Sequence, residues 1–166
     1  MTSQTSALTG IFDLQDAPQY AQEVVRQNFD QWGAFTNLTL RGMAELFHTE
    51  HERGTLPITF IAVEAGRYAG CVSLRAVTMG AITHPEAYLD ETPWLSNMWV
   101  AEFARGRGLA SKLTQAVHSA ARRLGYHTVY SSTQQSDSLY HKLGYVDIEV
   151  RSYRGGLLYL IKKDLK

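Results

Sequence analysis

Along the chain, the apolar positions switch between strand and helix periods in an order that predicts alternating elements. Leu8, Ile11, Phe12 and Leu14 suggest a short first strand over residues 8–14. Tyr20, Val24, Val25, Phe29 and Trp32 then recur at helical spacing, with Asp16 as the expected N-cap, Pro18 in the first turn, Gln19 three residues after the cap and Gly33 as the expected stop. A second helix over about 38–53 presents Leu40, Met43, Ala44 and Phe47 and ends at Gly54. Residues 58–63, the turn Glu64-Ala65-Gly66-Arg67 and residues 68–74 read as a hairpin, in which Gly70 permits a bulge or a close approach. The segment 77–93 is longer than a hairpin loop and is either functional or a surface excursion.

Residues 95–100 form a further strand-length run, which breaks at 101–105, crosses two glycines and continues as a helix. From Leu109, the residues Leu113, Ala116, Val117, Ala120, Ala121 and Leu124 share one face, while Lys112, Gln115, Arg122 and Arg123 fall largely on the other. Gly125 supplies the stop. Residues 127–132 are β-branched and aromatic, so strand, helix and strand suggest a right-handed parallel crossover. A short helix within 136–145 precedes a closing hairpin, 146–152 and 157–163, turned at Arg154-Gly155-Gly156.

The break Arg105-Gly106-Arg107-Gly108-Leu109-Ala110 holds the candidate chemistry. A helix start leaves backbone N–H groups unpaired and carries partial positive charge. Two glycines let the main chain approach a bulky anion, and Arg105 and Arg107 add charge, so a phosphate or pyrophosphate fits. The same glycines also suit a plain strand-to-helix connection. A Walker A loop needs Lys-Ser or Lys-Thr after its last glycine, where this chain has Leu109 and Ala110. A Rossmann fingerprint needs a third Gly or Ala and an acidic residue about 20 positions on; position 111 is Ser, and 128–133 contains neither Asp nor Glu.

Composition narrows the classes. A chain of 166 residues, 45% hydrophobic, suits one well-buried domain spanning 1–166 and is short of two. Sixteen basic residues balance sixteen acidic ones, which gives no argument for nucleic acid or an anionic membrane as partner. The single cysteine, Cys71, excludes an internal disulfide framework and reads as a buried apolar residue. No apolar run reaches the roughly 20 residues of a membrane span, and MTSQTS lacks a signal peptide's apolar core, so a cytoplasmic protein is expected. His48 and His51 match no zinc-protease pattern and stand beside no cysteine cluster; no metal is expected. His118, inside the amphipathic helix beside Arg122, reads as a half-exposed polar neighbour.

Arg105, Gly108 and Ala110 fill the fixed places of Arg/Gln-x-x-Gly-x-Gly/Ala, and the chain thereby resembles the GNAT superfamily of N-acetyltransferases. Leu139, Tyr140, Gly144 and Tyr145 match a second pattern of that family, Leu/Phe-Tyr-x-x-x-Gly-Phe/Tyr, in the right order and spacing. Together the motifs place residues 58–163 under the resemblance. It implies an α/β (α+β) fold: a mixed, mostly antiparallel sheet of six or seven strands, about four helices, and a splayed parallel strand pair. It also implies acetyl-CoA as co-substrate. Its contacts would come from Met98, Trp99 and Val100 on the central strand, from Arg105, Gly106, Arg107, Gly108, Leu109, Ala110 and Ser111 at the turn, and from Thr133, since Thr133 or Gln134 sits where many relatives carry an Asn. The first two helices would line one side of the acceptor site.

The implied chemistry is acyl transfer from a thioester to a neutral amine, with charge gathering on the carbonyl oxygen and the sulfur leaving. The resemblance gives the oxyanion to the main-chain amide of Trp99 or Val100 and proton donation to Tyr140; a packed Tyr with a structural hydrogen bond is the other reading of Tyr140. Where relatives with a defined base carry Glu or His, this chain has Trp94-Leu95-Ser96-Asn97. The amine then loses its proton to water or arrives neutral, with Glu64, Asp90, Glu91 and Glu102 as candidate relays. The aromatics Trp32, Phe35, Tyr88, Trp94 and Trp99 suit either an acceptor pocket or the core. The expected partner is a small-molecule or peptide amine, with the protein a monomer or homodimer. The alternative is a CoA-binding module without turnover.

Overall fold

In the computed structural model, which describes residues 7–166, the chain forms β1 (Gly10–Asp13), α1 (Ala21–Thr36), α2 (Leu40–Leu46), β2 (Ile58–Glu64) and β3 (Arg67–Arg75). There follow β4 (Trp94–Val100), α3 (Leu109–Arg123), β5 (Thr128–Thr133), α4 (Leu139–Lys142), β6 (Val146–Tyr153) and β7 (Gly156–Asp164). The polar stretch at 1–6 lies outside the described residues. The strands make one seven-stranded sheet, ordered β1-β2-β3-β4-β5-β7-β6. Every neighbouring pair is antiparallel except β4 and β5, which run parallel with α3 as their crossover. The expected mixed, mostly antiparallel sheet with one parallel pair and four helices is the fold observed.

Alternation along the central strands assigns the two faces. Ile58, Phe60, Leu74 and Leu95 meet Leu113, Val117 and Ala121 of α3 on one side. Ile61, Val63 and Cys71 meet Val24 of α1 and Met43 of α2 on the other. Burial on both faces explains why β2 reads as a nearly continuous apolar run. At Gly70 the close approach is real, because a Cβ there would come within 2.7 Å of the Trp99 carbonyl oxygen of β4.

Three helical expectations are revised. Helix α1 runs past Gly33 and stops at Asn37, whose φ of 55° supplies the left-handed C-cap; Gly33 instead makes room for the Phe29 ring, 3.0 Å from where its Cβ would stand. Asp16 does not cap α1 but lies in a preceding 3-10 turn, paired with Arg53 at 2.7 Å. Helix α2, capped by the Thr39 hydroxyl accepting the Gly42 N–H at 3.0 Å, ends at Leu46 rather than near 53. Beyond it the Gln15 amide donates to the carbonyls of Thr49 and His51 at 3.1 and 2.9 Å, holding that backbone in a non-helical path.

His118 is also revised, because it is buried, with Tyr145 packed against it just before the closing hairpin. Its Nε2 lies 2.7 Å from the Tyr145 hydroxyl. Burial, then the charges of Lys163 and Arg122, holds its pKa down at about 4 against an ordinary 6.5. Between those values the unfolded chain binds the extra proton, so this contribution to stability is full above about pH 6.5 and is lost as pH falls toward 4. A His118→Gln variant should flatten that acid limb. Denaturant unfolding at pH 7 and 4.5 should find the wild type losing on the order of 2 kcal/mol more than the variant; equal losses would remove His118 from the acid response.

Candidate active site

The ladder between β3 and β4 pairs Ser73 with Ser96 and resumes at Cys71 with Trp99, so Asn97 and Met98 together face Val72. This is a bulge in β4, and Asn97 takes a φ of 49°, a left-handed conformation that Asn tolerates better than most residues. The bulge bends β4 away from β5. The parallel strands share only the register position Trp94 and Tyr130. Their remaining links are the Tyr130 N–H to the Pro93 carbonyl and the Ser131 hydroxyl to the Leu95 carbonyl, each at 3.0 Å. Past Leu95 the strands part.

A cleft of about 600 Å³ opens at the parting, running from Leu139 and Tyr140 beside one face of the sheet to Trp32 and Phe35 of α1 on the other. Met98 and Thr133 line it, and among the described residues no carboxylate or imidazole does. Thr133 also accepts the Gln135 N–H on its hydroxyl at 3.2 Å. The wall opposite is the segment 77–93, which is anchored rather than loose. Ser96 Oγ accepts the Met79 N–H at 3.2 Å, Tyr88 is buried, and a side chain at Gly80 would collide with the Tyr88 hydroxyl.

The other β4 positions divide. Ala101 donates its N–H to the Ala69 carbonyl at 2.8 Å, so strand alternation turns the Trp99 N–H toward β3 and the Val100 N–H toward the parting strands. The Trp99 side chain lies on the far face, stacked on Tyr68 with ring centroids 5.6 Å apart, in a second cavity of about 1080 Å³ between α1 and α2. The Val100 side chain packs against the α3 core. Of the predicted aromatics, Trp32, Phe35 and Tyr88 line the cleft, whereas Trp94 is buried in the core beneath it.

At the end of β4 the chain turns through Gly106 and Gly108, with φ of 79° and 75°, both in the region that favours glycine. A Cβ at either would meet nothing within 4 Å. The amides of Gly106, Arg107, Gly108, Leu109, Ala110 and Ser111 donate to no group among the described residues; the first helical bond is Lys112 N–H to the Gly108 carbonyl at 3.1 Å. Arg105 is spent partly on structure, its Nε donating to the Val100 carbonyl at 3.0 Å. Arg107 pairs with Glu64 at 2.7 Å, which offsets its charge and occupies one of the candidate relays. The other relays, Asp90, Glu91 and Glu102, are exposed and do not line the cleft.

On the opposite wall, α4 carries Tyr140. Its ring packs against the α3-side core and 5.7 Å from that of Tyr145, and burial raises its hydroxyl above the ordinary phenol range. That hydroxyl bonds to no described residue, and Tyr140 lines the cleft. No group of three or more His, Cys, Asp or Glu positioned for a metal occurs among the described residues. None of their helices is long and apolar enough to cross a membrane. Sequence reasoning missed the β4 bulge, although the polar pair Ser96-Asn97 inside an apolar strand was its signal.

A sheet parted at its single parallel pair, with a glycine turn leading into the crossover helix, defines the acetyltransferase fold of the GNAT class. The model of the acetyltransferase (GNAT) family matches residues 16–145, and the chain belongs to that family. No curated protein matches it in sequence. Among solved structures it is similar to a GNAT-family acetyltransferase from Streptococcus pneumoniae, at 19% identity over 96% of this chain and 100% of that one, with a TM-score of 0.67. It is also similar to an aminoglycoside 6'-N-acetyltransferase complexed with coenzyme A, at 14% identity, 95% and 97% coverage and a TM-score of 0.67. A third is the ribosomal-protein-S18-alanine N-acetyltransferase from Escherichia coli, at 17% identity, 95% and 94% coverage and a TM-score of 0.64. At these identities the likeness is one of fold.

Proposed function

We propose that this chain, as one domain, transfers an acetyl group from acetyl-CoA to a primary amine of a small molecule or peptide by direct attack through a tetrahedral intermediate. The observation that carries this reading is the row of undonated amides from Gly106 to Ser111, set at the end of the strand whose middle parts from its neighbour. Helix-start amides hold a diphosphate well, and the gap between β4 and β5 then receives the pantetheine arm, with Met98 and Thr133 along it. The Val100 N–H, turned into the gap, is better placed than that of Trp99 to stabilise the developing oxyanion. Tyr140 stays protonated at neutral pH, so it serves as a donor toward the leaving sulfur and not as a base.

No carboxylate or imidazole among the described residues lines the cleft, so the attacking amine arrives neutral; once the C–N bond has formed, the nitrogen of the tetrahedral intermediate loses its extra proton to water, and the C–S bond then breaks. Trp32 and Phe35 give its approach an apolar wall. The larger cavity between α1 and α2 shares Gln31 with the cleft and leaves room for an extended acceptor. The fold neighbours are named for small-molecule and protein acceptors alike, which supports keeping both. Cytoplasmic location, use as a monomer or homodimer, and catalysis without a metal complete the reading.

The bare cleft also favours one other reading, a CoA-binding module without turnover. Thiol release from acetyl-CoA across an amine panel, beside calorimetry with CoA, separates the two. The enzyme should release thiol at a rate that climbs with pH toward the amine pKa, about 10.4 for a lysine-like group. Binding with no release for any amine at any pH would leave the module.

A further inference from the structure

Helix α4 is one turn long, Leu139–Lys142, and it carries Tyr140. A turn that short does not hold itself, because helix nucleation is unfavourable until tertiary contacts or caps offset it. The cap here is unusual. Ser138 is the N-cap, and the third helical residue, which in a capping box is normally Glu or Gln, is His141. His141 Nδ1 accepts the Ser138 N–H at 3.1 Å and lies 2.9 Å from Ser138 Oγ, while the His141 N–H donates to the Ser138 carbonyl at 3.1 Å. On the far side of the ring, Nε2 is 2.8 Å from Asp147 Oδ1 in β6.

A neutral imidazole has one donor and one acceptor nitrogen, and a carboxylate only accepts. Asp147 therefore draws the ring proton to Nε2 and leaves Nδ1 as the acceptor that the cap requires. Asp147 can do this because it pairs with Ile161 just before the irregularity between Asp147 and Glu149, which turns its side chain toward α4. Resting on the assignment of Tyr140 as proton donor, we propose that His141 and Asp147 are positioning residues. Asp147 fixes the tautomer, His141 closes the capping box, and the closed box aims the Tyr140 hydroxyl into the cleft.

The sequence Ser138, His141, Asp147 has the spacing of a nucleophilic triad in its hydrogen bonds. Two details separate it from one. Nδ1 is shared with the Ser138 N–H, and Ser138 is buried. The serine is a cap.

Steady-state kinetics on His141→Ala, His141→Gln and Asp147→Asn test the assignment. His141→Ala should lower kcat roughly ten- to hundredfold while leaving KM for acetyl-CoA within about twofold, the cost of a small misplacement of a reacting group. His141→Gln restores an acceptor for the Ser138 N–H and should recover most of the loss. Asp147→Asn should fall between them. Nitrogen NMR of the imidazole should report protonated Nε2 and bare Nδ1 in the wild type and a mixture in Asp147→Asn. An unchanged kcat in His141→Ala, a Gln variant no better than Ala, or an acetyl adduct on Ser138 by mass spectrometry overturns the proposal. If no amine supports turnover in the wild type, the Tyr140 assignment falls, whereas the nitrogen spectrum still decides the tautomer lock.

Discussion

Replacing Gly106 and Gly108 together by glutamate should weaken acetyl-CoA binding by at least about 100-fold in calorimetry, a change of about 2.7 kcal/mol. The two positions are exposed and face open space, so no neighbour is displaced by the new side chains. Each would instead stand where the proposed diphosphate must come within hydrogen-bonding reach of the amides. Two like charges 4 Å apart repel by about 1 kcal/mol in bulk water and about 4 kcal/mol near a protein surface, so two carboxylates exceed the required change without any steric contribution. Folding should survive, because the left-handed φ of each glycine costs an ordinary residue roughly 1–2 kcal/mol. A Gly106→Ala, Gly108→Ala pair carries the same backbone cost with no charge, and it should retain far more affinity than the glutamate pair. Wild-type affinity in a folded glutamate variant would remove the turn from the binding site, and the acetyl-transfer reading would go with it.

Period and punctuation make much of this architecture legible in the sequence. The strand at 95–100, the glycine turn and the amphipathic face of α3 are all local signals, and Leu113, Val117, Ala120 and Ala121 are buried as their spacing requires. The closing hairpin declared itself through Arg154-Gly155-Gly156. What stayed hidden depends on contacts distant in sequence. His118 sits on α3 where a polar residue reads as half-exposed, and it is Tyr145, 27 residues on, that buries it. The helix expected to reach 53 is cut short by Gln15, more than 30 residues earlier in the chain.

The candidate site shows the same division. The residues at the turn follow from a motif, but Trp99 and Met98, neighbours in sequence, face opposite sides of the sheet. Arg107 reads as a free charge until Glu64 comes across from β2 to meet it. The bulge at Asn97, which sets where β4 leaves β5, needs the register of β3 to be seen. Motifs name the residues that can meet a ligand; pairing between strands decides which of them point at it.

Tyr140→Phe should lower kcat for acetyl transfer by about 100-fold, at the low end of the range for general acid catalysis, with KM for acetyl-CoA nearly unchanged. The low end follows from the leaving group. A thiol with a pKa near 8.5 departs with little help at neutral pH, and a phenol whose pKa is raised by burial is a reluctant donor. Its service is a hydrogen bond that strengthens as charge moves onto sulfur, and that interaction exists only in the transition state. Because the Tyr140 hydroxyl bonds to no described residue, its removal leaves no protein group unpaired, and the melting temperature should move by less than a core truncation of several kcal/mol would move it. That separates the two roles of the side chain, since the ring that packs against the core is kept while the oxygen is lost. A raised KM for acetyl-CoA with kcat unchanged would mean that the hydroxyl only holds the ground-state thioester. Full turnover in Tyr140→Phe at every pH would mean that sulfur leaves unaided, and Val100's amide would be the main protein contribution left to the reaction.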